Sequence, residues 1–226
     1  MAKERKFVSA GRPSEKDAGK TPKGRATGLR IIAFVLWLAA FAFQALAIAL
    51  LNGVLYLPYD QTMLLIICIG LDLVCVIIGS LLWKRANRID PASAKNKVKF
   101  FLWNNMGVIA AVIAFLPLVI ILLRNKNLDP KTKKIVSVVA AIALLVAAAL
   151  SIDYNPISQE ELAELKAEVG DDTVYWTRWG RVYHLDPDCH TITKSATVYY
   201  GTIEEAVEAN RHDPCYYCAR RAEAEQ

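Results

Sequence analysis

The sequence predicts an α-helical membrane protein with four transmembrane helices and a small C-terminal α+β domain. Three observations lead to this fold class. Hydrophobic residues make up 54% of the 226 residues, which exceeds the usual share in a soluble domain. The excess lies in four apolar runs between Leu29 and Ile152. The chain after Ile152 is polar and has the periodicities of short strands and helices.

The four apolar runs have the composition of membrane-spanning helices. A helix needs roughly 20 mostly apolar residues to cross the hydrocarbon core. The first three runs reach this length, and the fourth, with 18 residues, is at the short end. Because lipid cannot satisfy backbone groups, each run must be helical. The transmembrane domain is therefore expected over residues 29–152, with helices at about 29–51, 62–83, 100–123 and 135–152.

Residues 1–28 form a basic arm with eight Lys/Arg and three acidic residues. The arm has few apolar residues to bury, so we expect it to be disordered and cytoplasmic. Contact with anionic lipid headgroups is a second interpretation of its charge. The apolar run that follows is too long for a cleavable signal peptide and is expected to be a signal anchor.

Lys and Arg between the runs predict the orientation, because cytoplasmic loops are enriched in both. The loop before the second run has none and the loop before the third has six, which places the first outside and the second inside. The loop before the fourth run has five, and four full spans would place it outside, against the rule. If the third run, with Asn104, Asn105 and Pro117, is re-entrant, the C-terminal domain is extracytoplasmic. We favour four spans in the plasma membrane with both termini cytoplasmic.

Asp72 is the strongest candidate for a functional polar residue within the apolar runs. Cys68, Asp72 and Cys75 lie at i, i+4 and i+7, on one face of the predicted helix. Polar groups at this depth are candidates for function, so Asp72 is either a polar contact inside the bundle or part of a transport path.

Residues 153–172 form an acidic linker with a short amphipathic helix. Ser158 and Glu161 have the spacing of a capping box. Leu162, Leu165 and Val169 then recur at helical spacing, which indicates one apolar face.

Residues 173–222 combine strand, turn and helix signals with four metal-ligand residues. "TVYWTRWGRVYHL" predicts a β-hairpin, and "ATVYYG" predicts a third strand. "TIEEAVEAN" predicts a helix, at whose start Thr202 and Glu205 have the spacing of a second capping box. His184 and Cys189 are followed by the Cys215–Cys218 pair in "PCYYC". Three Cys and one His are a standard set for structural Zn²⁺, and they leave no open position for water. A domain of this size would need the metal to fold.

Two alternatives to this zinc site, and one open choice for the aromatic residues near it, remain at the level of sequence. His190 adjoins Cys189 and can replace His184 as a ligand, whereas His212 is expected at the surface. The Cys215–Cys218 pair can also act as a redox dithiol. Six aromatic residues are expected to form the small core or, alternatively, a stacking surface (Trp176, Trp179, Tyr199, Tyr200, Tyr216 and Tyr217).

Val174–Arg220 resembles the Ada-type zinc-binding fold, in the variant found at the ends of some secreted bacterial nucleases and surface proteins. The shared pattern is "VY.T..G..YH....C..I..S", then "T.EEA", then "PC..C". The resemblance implies that His184, Cys189, Cys215 and Cys218 bind zinc. Methyl-accepting members have a Cys at the position of His184, so methyl transfer is not implied. The membrane half resembles no family that we can name.

The leading hypothesis is a membrane-anchored protein whose structural zinc site supports an interaction, sensing or scaffolding module with a protein partner. The alternative is a small transporter or channel-like protein that uses Asp72 and has a regulatory zinc tail. Nucleic-acid binding is less favoured, because residues 173–226 contain six Lys/Arg and eight acidic residues. We expect no enzyme activity, because no paired acid and base, nucleophile triad or phosphate loop is evident.

Overall fold

The computed structural model describes residues 5–11, 21–126 and 128–224. The chain divides into two compact units. The membrane unit comprises Thr27–Ala86 and Asn96–Pro156. The terminal unit comprises the described residues up to Ala26, the Asn87–Lys95 loop and the described residues from Ile157 onward.

Five helices account for the apolar part of the chain: α1 (Pro22–Leu51), α2 (Gln61–Ile89), α3 (Lys97–Asn104), α4 (Met106–Arg124) and α5 (Pro130–Ser151). Four of them, α1, α2, α4 and α5, are long and apolar enough to cross a membrane. Three begin or end well beyond the apolar runs, because polar residues continue the helical backbone past the hydrophobic stretch. α1 begins at Pro22, α2 continues to Ile89, and α5 begins at Pro130.

The third predicted helix is two helices with a break at Asn105. The amides of Asn104 and Asn105 donate to the carbonyls of Phe100 and Phe101, at 3.1 and 2.9 Å. Such side-chain bonds compete with the backbone ladder and disturb a helix. α4 then continues without interruption past Pro117, over about 28 Å at the usual rise per residue.

Alanines are frequent in the core of the membrane unit, and many large apolar side chains are exposed. Ala40, Ala114 and Ala140 are among the fully buried alanines. Large side chains such as Ile31 and Leu145 are instead 60% and 69% exposed. Helices in lipid pack through small residues and direct large apolar side chains outward. This distribution fits a lipid environment and would be unfavourable in water.

Three tryptophans of the membrane unit pack together in a cluster. The ring centroid of Trp83 lies 5.3 Å from that of Trp37 and 5.1 Å from that of Trp103. The indole N–H of Trp83 donates to the Trp103 carbonyl at 2.9 Å, and the Arg30 guanidinium stacks on the Trp103 ring. Tryptophan and arginine together are typical of the membrane–water boundary.

The terminal unit is built from short strands and helices. Its elements are β1 (Lys6–Ser9), α6 (Gln159–Val169), β2 (Val174–Trp176), β3 (Val182–Tyr183), β4 (Thr197–Gly201), α7 (Ile203–Glu208), β5 (Asp213–Pro214) and α8 (Tyr216–Ala224). One sheet has the order β1-β4-β2, in which β4 is parallel to β1 and antiparallel to β2. In the second sheet, β3 and β5 are parallel.

The capping boxes are confirmed, and the hairpin is smaller than predicted. Ser158 with Glu161 caps α6, and Thr202 with Glu205 caps α7, each through reciprocal bonds. β2 and β3 are linked by an isolated bridge, in which Tyr175 and His184 form two backbone hydrogen bonds, at 2.7 and 2.8 Å. The main partner of β2 is instead β4.

The arm is not disordered throughout, because Lys6–Ser9 form strand β1. The prediction of disorder is wrong for these residues, and also for the end of the arm, where α1 has already begun at Pro22. β4 supplies a row of backbone partners for β1 that composition alone does not reveal. Residues 1–4 and 12–20, which the prediction also covered, lie outside the described residues.

The Asn87–Lys95 loop is fastened to the start of α6. The Ser93 hydroxyl donates to one oxygen of Glu160 at 2.5 Å, and the Ala94 N–H donates to the other at 2.8 Å. These two bonds hold the pKa of Glu160 below its usual value. The Gln159 N–H also donates to the Ala92 carbonyl at 3.1 Å. The loop is therefore a structural part of the terminal unit.

Candidate metal centre

Each predicted ligand is held by a different piece of local structure. His184 follows β3 and is paired through its backbone to Tyr175. Cys189 closes a turn in which its N–H donates to the Asp186 carbonyl at 3.2 Å. Cys215 follows β5, and its N–H donates to the Tyr183 carbonyl at 2.8 Å. Cys218 lies in the first turn of α8.

The four donor atoms converge on one point. One ligand atom from each of His184, Cys189, Cys215 and Cys218 lies within 4.8 Å of all the others. The Cys189 and Cys215 sulfurs are 3.9 Å apart, and the Cys218 sulfur is 4.0 Å from His184 Nδ1. A tetrahedral zinc site with ordinary bond lengths has donor separations of about 3.6–3.8 Å. The residues present therefore fit a four-coordinate metal ion.

The same distances exclude a disulfide in this arrangement. A disulfide joins two sulfurs at about 2.05 Å. All three cysteines are free thiols in the structure, and their spacing is that of ligands sharing an ion.

The cluster is closed to solvent. The relative exposure of the four ligands is between 1% and 5%. Around them pack Ile192 and Val198, with Tyr175 and Val182 at the edge. Protein atoms thus fill the space around the donors, which is typical of a structural site, whereas a catalytic site keeps an open position.

Thr191 is a member of the site that the sequence reasoning missed. Its hydroxyl lies 3.2 Å from the Cys189 sulfur and 3.5 Å from His184 Nδ1. It is also 3.8 Å from the Cys215 sulfur. A hydroxyl two residues after a ligand can donate to that ligand's thiolate, and such outer contacts tune metal sites. The signal available in the sequence was its position in "CHT", two residues after Cys189.

The protonation of the ligands follows from their surroundings. Burial tends to raise the pKa of the Cys189 thiol, but hydrogen bonds, first of all from Thr191, outweigh burial and bring the pKa below its usual value. Burial raises the pKa of Cys218, although the backbone N–H groups of Asp186 and Leu185 oppose the increase. Burial lowers the pKa of His184, so its imidazole is held in the neutral form that a metal requires.

In comparisons with protein-family models, curated proteins and solved structures, nothing matched this chain. Its function must therefore be inferred from its own residues.

The other two histidines are not ligands in this arrangement. His190 is exposed, and its ring packs edge-on against Tyr217 with centroids 4.3 Å apart. His212 is buried, with 3% exposure, so its expected surface position is wrong. It lies directly before β5 and three residues before Cys215.

The aromatic residues of the tail divide between the core and the surface. Trp176 belongs to the core of the terminal unit, and Tyr199 packs against that core. Trp179, Tyr216 and Tyr217 are 88%, 65% and 51% exposed. Arg178 stacks on Trp179, and Arg220 stacks on Tyr216. The core interpretation is therefore correct for the first group, while the second lies on the surface.

Asp72 lies within α2 and is 1% exposed. Neither of its carboxyl oxygens has a hydrogen-bond partner among the described residues. Cys68 is buried and Cys75 is half-buried, but the described structure does not bring these two and Asp72 together as a ligand cluster.

Proposed function

We propose that this chain is a membrane-anchored zinc protein whose structural Cys3His site supports a module for protein interaction, sensing or scaffolding. The observation that carries the proposal is the convergence of four buried donor atoms within 4.8 Å of one another. Four helices long and apolar enough to span a membrane supply the anchor.

The donor set favours zinc. Three thiols with one imidazole suit Zn²⁺, which has no geometric preference beyond the tetrahedron that such ligands form. All four positions belong to the protein, so we propose a structural role and no catalysis at the metal. The resemblance of Val174–Arg220 to the Ada-type zinc-binding fold agrees with this ligand set.

The surface of the module favours a protein partner. Trp179, Tyr216 and Tyr217 are exposed, and arginines stack on two of these rings. Aromatic residues and arginine are enriched at protein interfaces. Nucleic acid is a weaker candidate, because acidic residues outnumber basic ones in this region.

The composition of the terminal unit supports a cytoplasmic location for the module. A membrane cannot pass through one compact unit, and this unit contains part of the basic arm, the basic Asn87–Lys95 loop and the C-terminal region. The arm has eight Lys/Arg, and the segment between the second and third apolar runs, to which Asn87–Lys95 belong, has six, which favours the cytoplasmic side. We therefore propose four crossings, with the loop before α5 outside despite its five basic residues.

Metal analysis of the full-length protein in detergent tests this function. We expect one zinc ion per chain and its loss in Cys215→Ser. Cys75→Ser is the matched control, because Cys75 lies in α2 and outside the cluster, and it should retain the zinc. Equal metal content in the two variants would overturn the proposal.

A second candidate function is transport through the helices, with the zinc tail as a regulator. It is favoured by Asp72, whose two carboxyl oxygens are buried without a partner among the described residues. Unpaired carboxyls within a membrane are costly and commonly functional. Reconstituted Asp72→Asn protein should lose ion or proton flux if this function is correct. Unchanged flux in Asp72→Asn would exclude it.

A further inference from the structure

Strand β1 completes the sheet of the terminal unit from the opposite end of the chain. Lys6–Ser9 pair in parallel with Thr197–Tyr200. The Lys6 N–H donates to the Ala196 carbonyl at 3.0 Å, and the Ala10 N–H donates to the Tyr200 carbonyl at 2.8 Å. The β1 segment, residues 5–10, thus occupies one edge of β4, while β2 occupies the other.

Two side chains of the β1 segment contact the domain specifically. The Arg5 guanidinium donates to the Asp188 carboxylate at 2.5 Å and to the Pro187 carbonyl at 3.0 Å. Phe7 packs edge-on against Tyr175, with ring centroids 6.5 Å apart. Arg5 also lies over the Phe7 ring, 5.5 Å from its centroid. The domain therefore contacts the backbone of the β1 segment, its arginine, and the aromatic residue two positions later.

Another peptide segment can replace the β1 segment in these side-chain contacts. Phe7 is 44% exposed, and the Asp188 side chain of the ion pair is 72% exposed. Exposed ion pairs contribute little to stability. Most of the affinity must then come from the backbone ladder, which any extended segment can form, and the side-chain contacts add the selectivity.

We propose that the β4 edge is a peptide-binding site that accepts an extended, parallel segment with arginine two residues before an aromatic residue. The chain's own β1 segment is its resident occupant. This inference rests on the proposed function and deepens it, because it names the chemical class of the protein partner. A partner carrying this pattern adds a strand to β4 after β1 has left, and Asp188 and Tyr175 read its side chains.

Tethering determines when a partner can enter. A segment joined to its own site by a short linker acts at an effective concentration on the order of millimolar. A free peptide with the same contacts cannot compete at lower concentrations. Removal of the resident segment should therefore expose the site to added peptide.

The test uses full-length protein in detergent, a variant lacking residues 2–11, and the labelled peptide RKFVSAG, which is residues 5–11. We expect saturable peptide binding to the shortened protein and at least tenfold weaker binding to the intact chain. A peptide with Glu for Arg5 and Ala for Phe7 should bind the shortened protein at least tenfold more weakly than RKFVSAG.

A point variant tests the same site without shortening the chain. Val8 lies between Lys6 and Ala10 on the strand, and its N–H points to the same side as theirs. Val8→Pro removes this donor from the ladder and leaves the chain at full length. We expect Val8→Pro protein to bind RKFVSAG, whereas Ser9→Ala, which keeps its backbone donor, should behave as the intact chain.

Zinc measured on the same samples separates this inference from the proposed function. If the zinc content stays at one ion per chain and neither variant binds the peptide, the peptide site is wrong and the zinc module stands. If both variants lose zinc, β1 is an integral part of the fold and the peptide site is again wrong. Equal binding by variant and intact chains would place the peptide elsewhere and would also overturn the inference.

Discussion

Arg25 and Glu208 form an ion pair between residues that lie 183 positions apart in the chain. One guanidinium nitrogen of Arg25 donates to both carboxylate oxygens of Glu208, at 3.0 and 2.9 Å. The two side chains are only 21% and 19% exposed. Arg25 lies near the start of α1 and Glu208 ends α7, so the pair connects the first and last parts of the terminal unit.

Breaking this pair should loosen the terminal unit. We expect Arg25→Met to lower the local stability of α7 by about 1 kcal/mol, because charge-assisted bonds to a shielded carboxylate exceed those of an exposed pair. Amide hydrogen exchange over residues 202–210 measures the change. Glu208→Gln and the double variant complete the cycle, and additive effects would show that the pair contributes nothing.

Arg178→Met is the matched control for this cycle. Arg178 stacks on Trp179, which is 88% exposed. Its replacement removes the same charge without removing a shielded ion pair, so exchange in α7 should stay unchanged.

The Thr191 hydroxyl should strengthen metal binding. It lies 3.2 Å from the Cys189 sulfur and is placed to donate to the thiolate. We expect Thr191→Val to weaken zinc affinity about 10–100-fold, the usual effect of losing an outer-shell partner of a ligand. Competition with a chromophoric chelator measures the affinity.

Thr193→Val provides the comparison for Thr191→Val. The Thr193 hydroxyl donates to the His190 carbonyl and is exposed, so its loss should leave zinc affinity unchanged. If the two variants weaken the affinity equally, the effect belongs to the loop as a whole and the role of Thr191 is wrong.

Acid should release the metal and destabilise the terminal unit. Burial lowers the folded-state pKa of His184 below its ordinary value of 6.5, although Asp186 acts in the opposite direction. A depressed pKa contributes stability in full above pH 6.5, and this contribution is lost as the pH falls through the folded-state value. Protonation of the thiolates acts in the same direction, because zinc needs deprotonated ligands.

A titration from pH 8 to pH 4.5 with a zinc-sensitive dye follows this release. We expect full occupancy at the alkaline end and progressive loss below about pH 6.5. His190→Asn should give the same curve, because His190 is exposed and is not part of the cluster. Occupancy that does not change over the range would contradict the expected ligation.

Local signals in the sequence predicted the membrane helices, the two capping boxes and the ligand set. Each of these signals lies within a short stretch of sequence: the apolar runs, the Ser158–Glu161 and Thr202–Glu205 spacings, and the Cys215–Cys218 pair. In each case the physical cause is local, because a capping bond or a chelating turn joins near neighbours.

The long-range parts of the terminal unit could not be predicted in this way. β1 is four residues long, and its partner β4 begins at Thr197. Glu160 likewise binds the loop at Ser93, 67 residues earlier in the chain. Such pairings depend on which groups the fold brings together, and no periodicity in either segment records the partner.

Cysteine labelling in intact cells should decide the orientation. With four crossings, an impermeant maleimide should label Tyr56→Cys and Lys126→Cys, both at exposed positions in the proposed outer loops. Trp179→Cys, in the metal-binding region, should label only after the membrane is permeabilised. Labelling of Trp179→Cys in intact cells, without labelling of Lys126→Cys, would reverse this outcome and indicate a re-entrant third segment. The native residues Cys189, Cys215 and Cys218 are buried and serve as the unlabelled background.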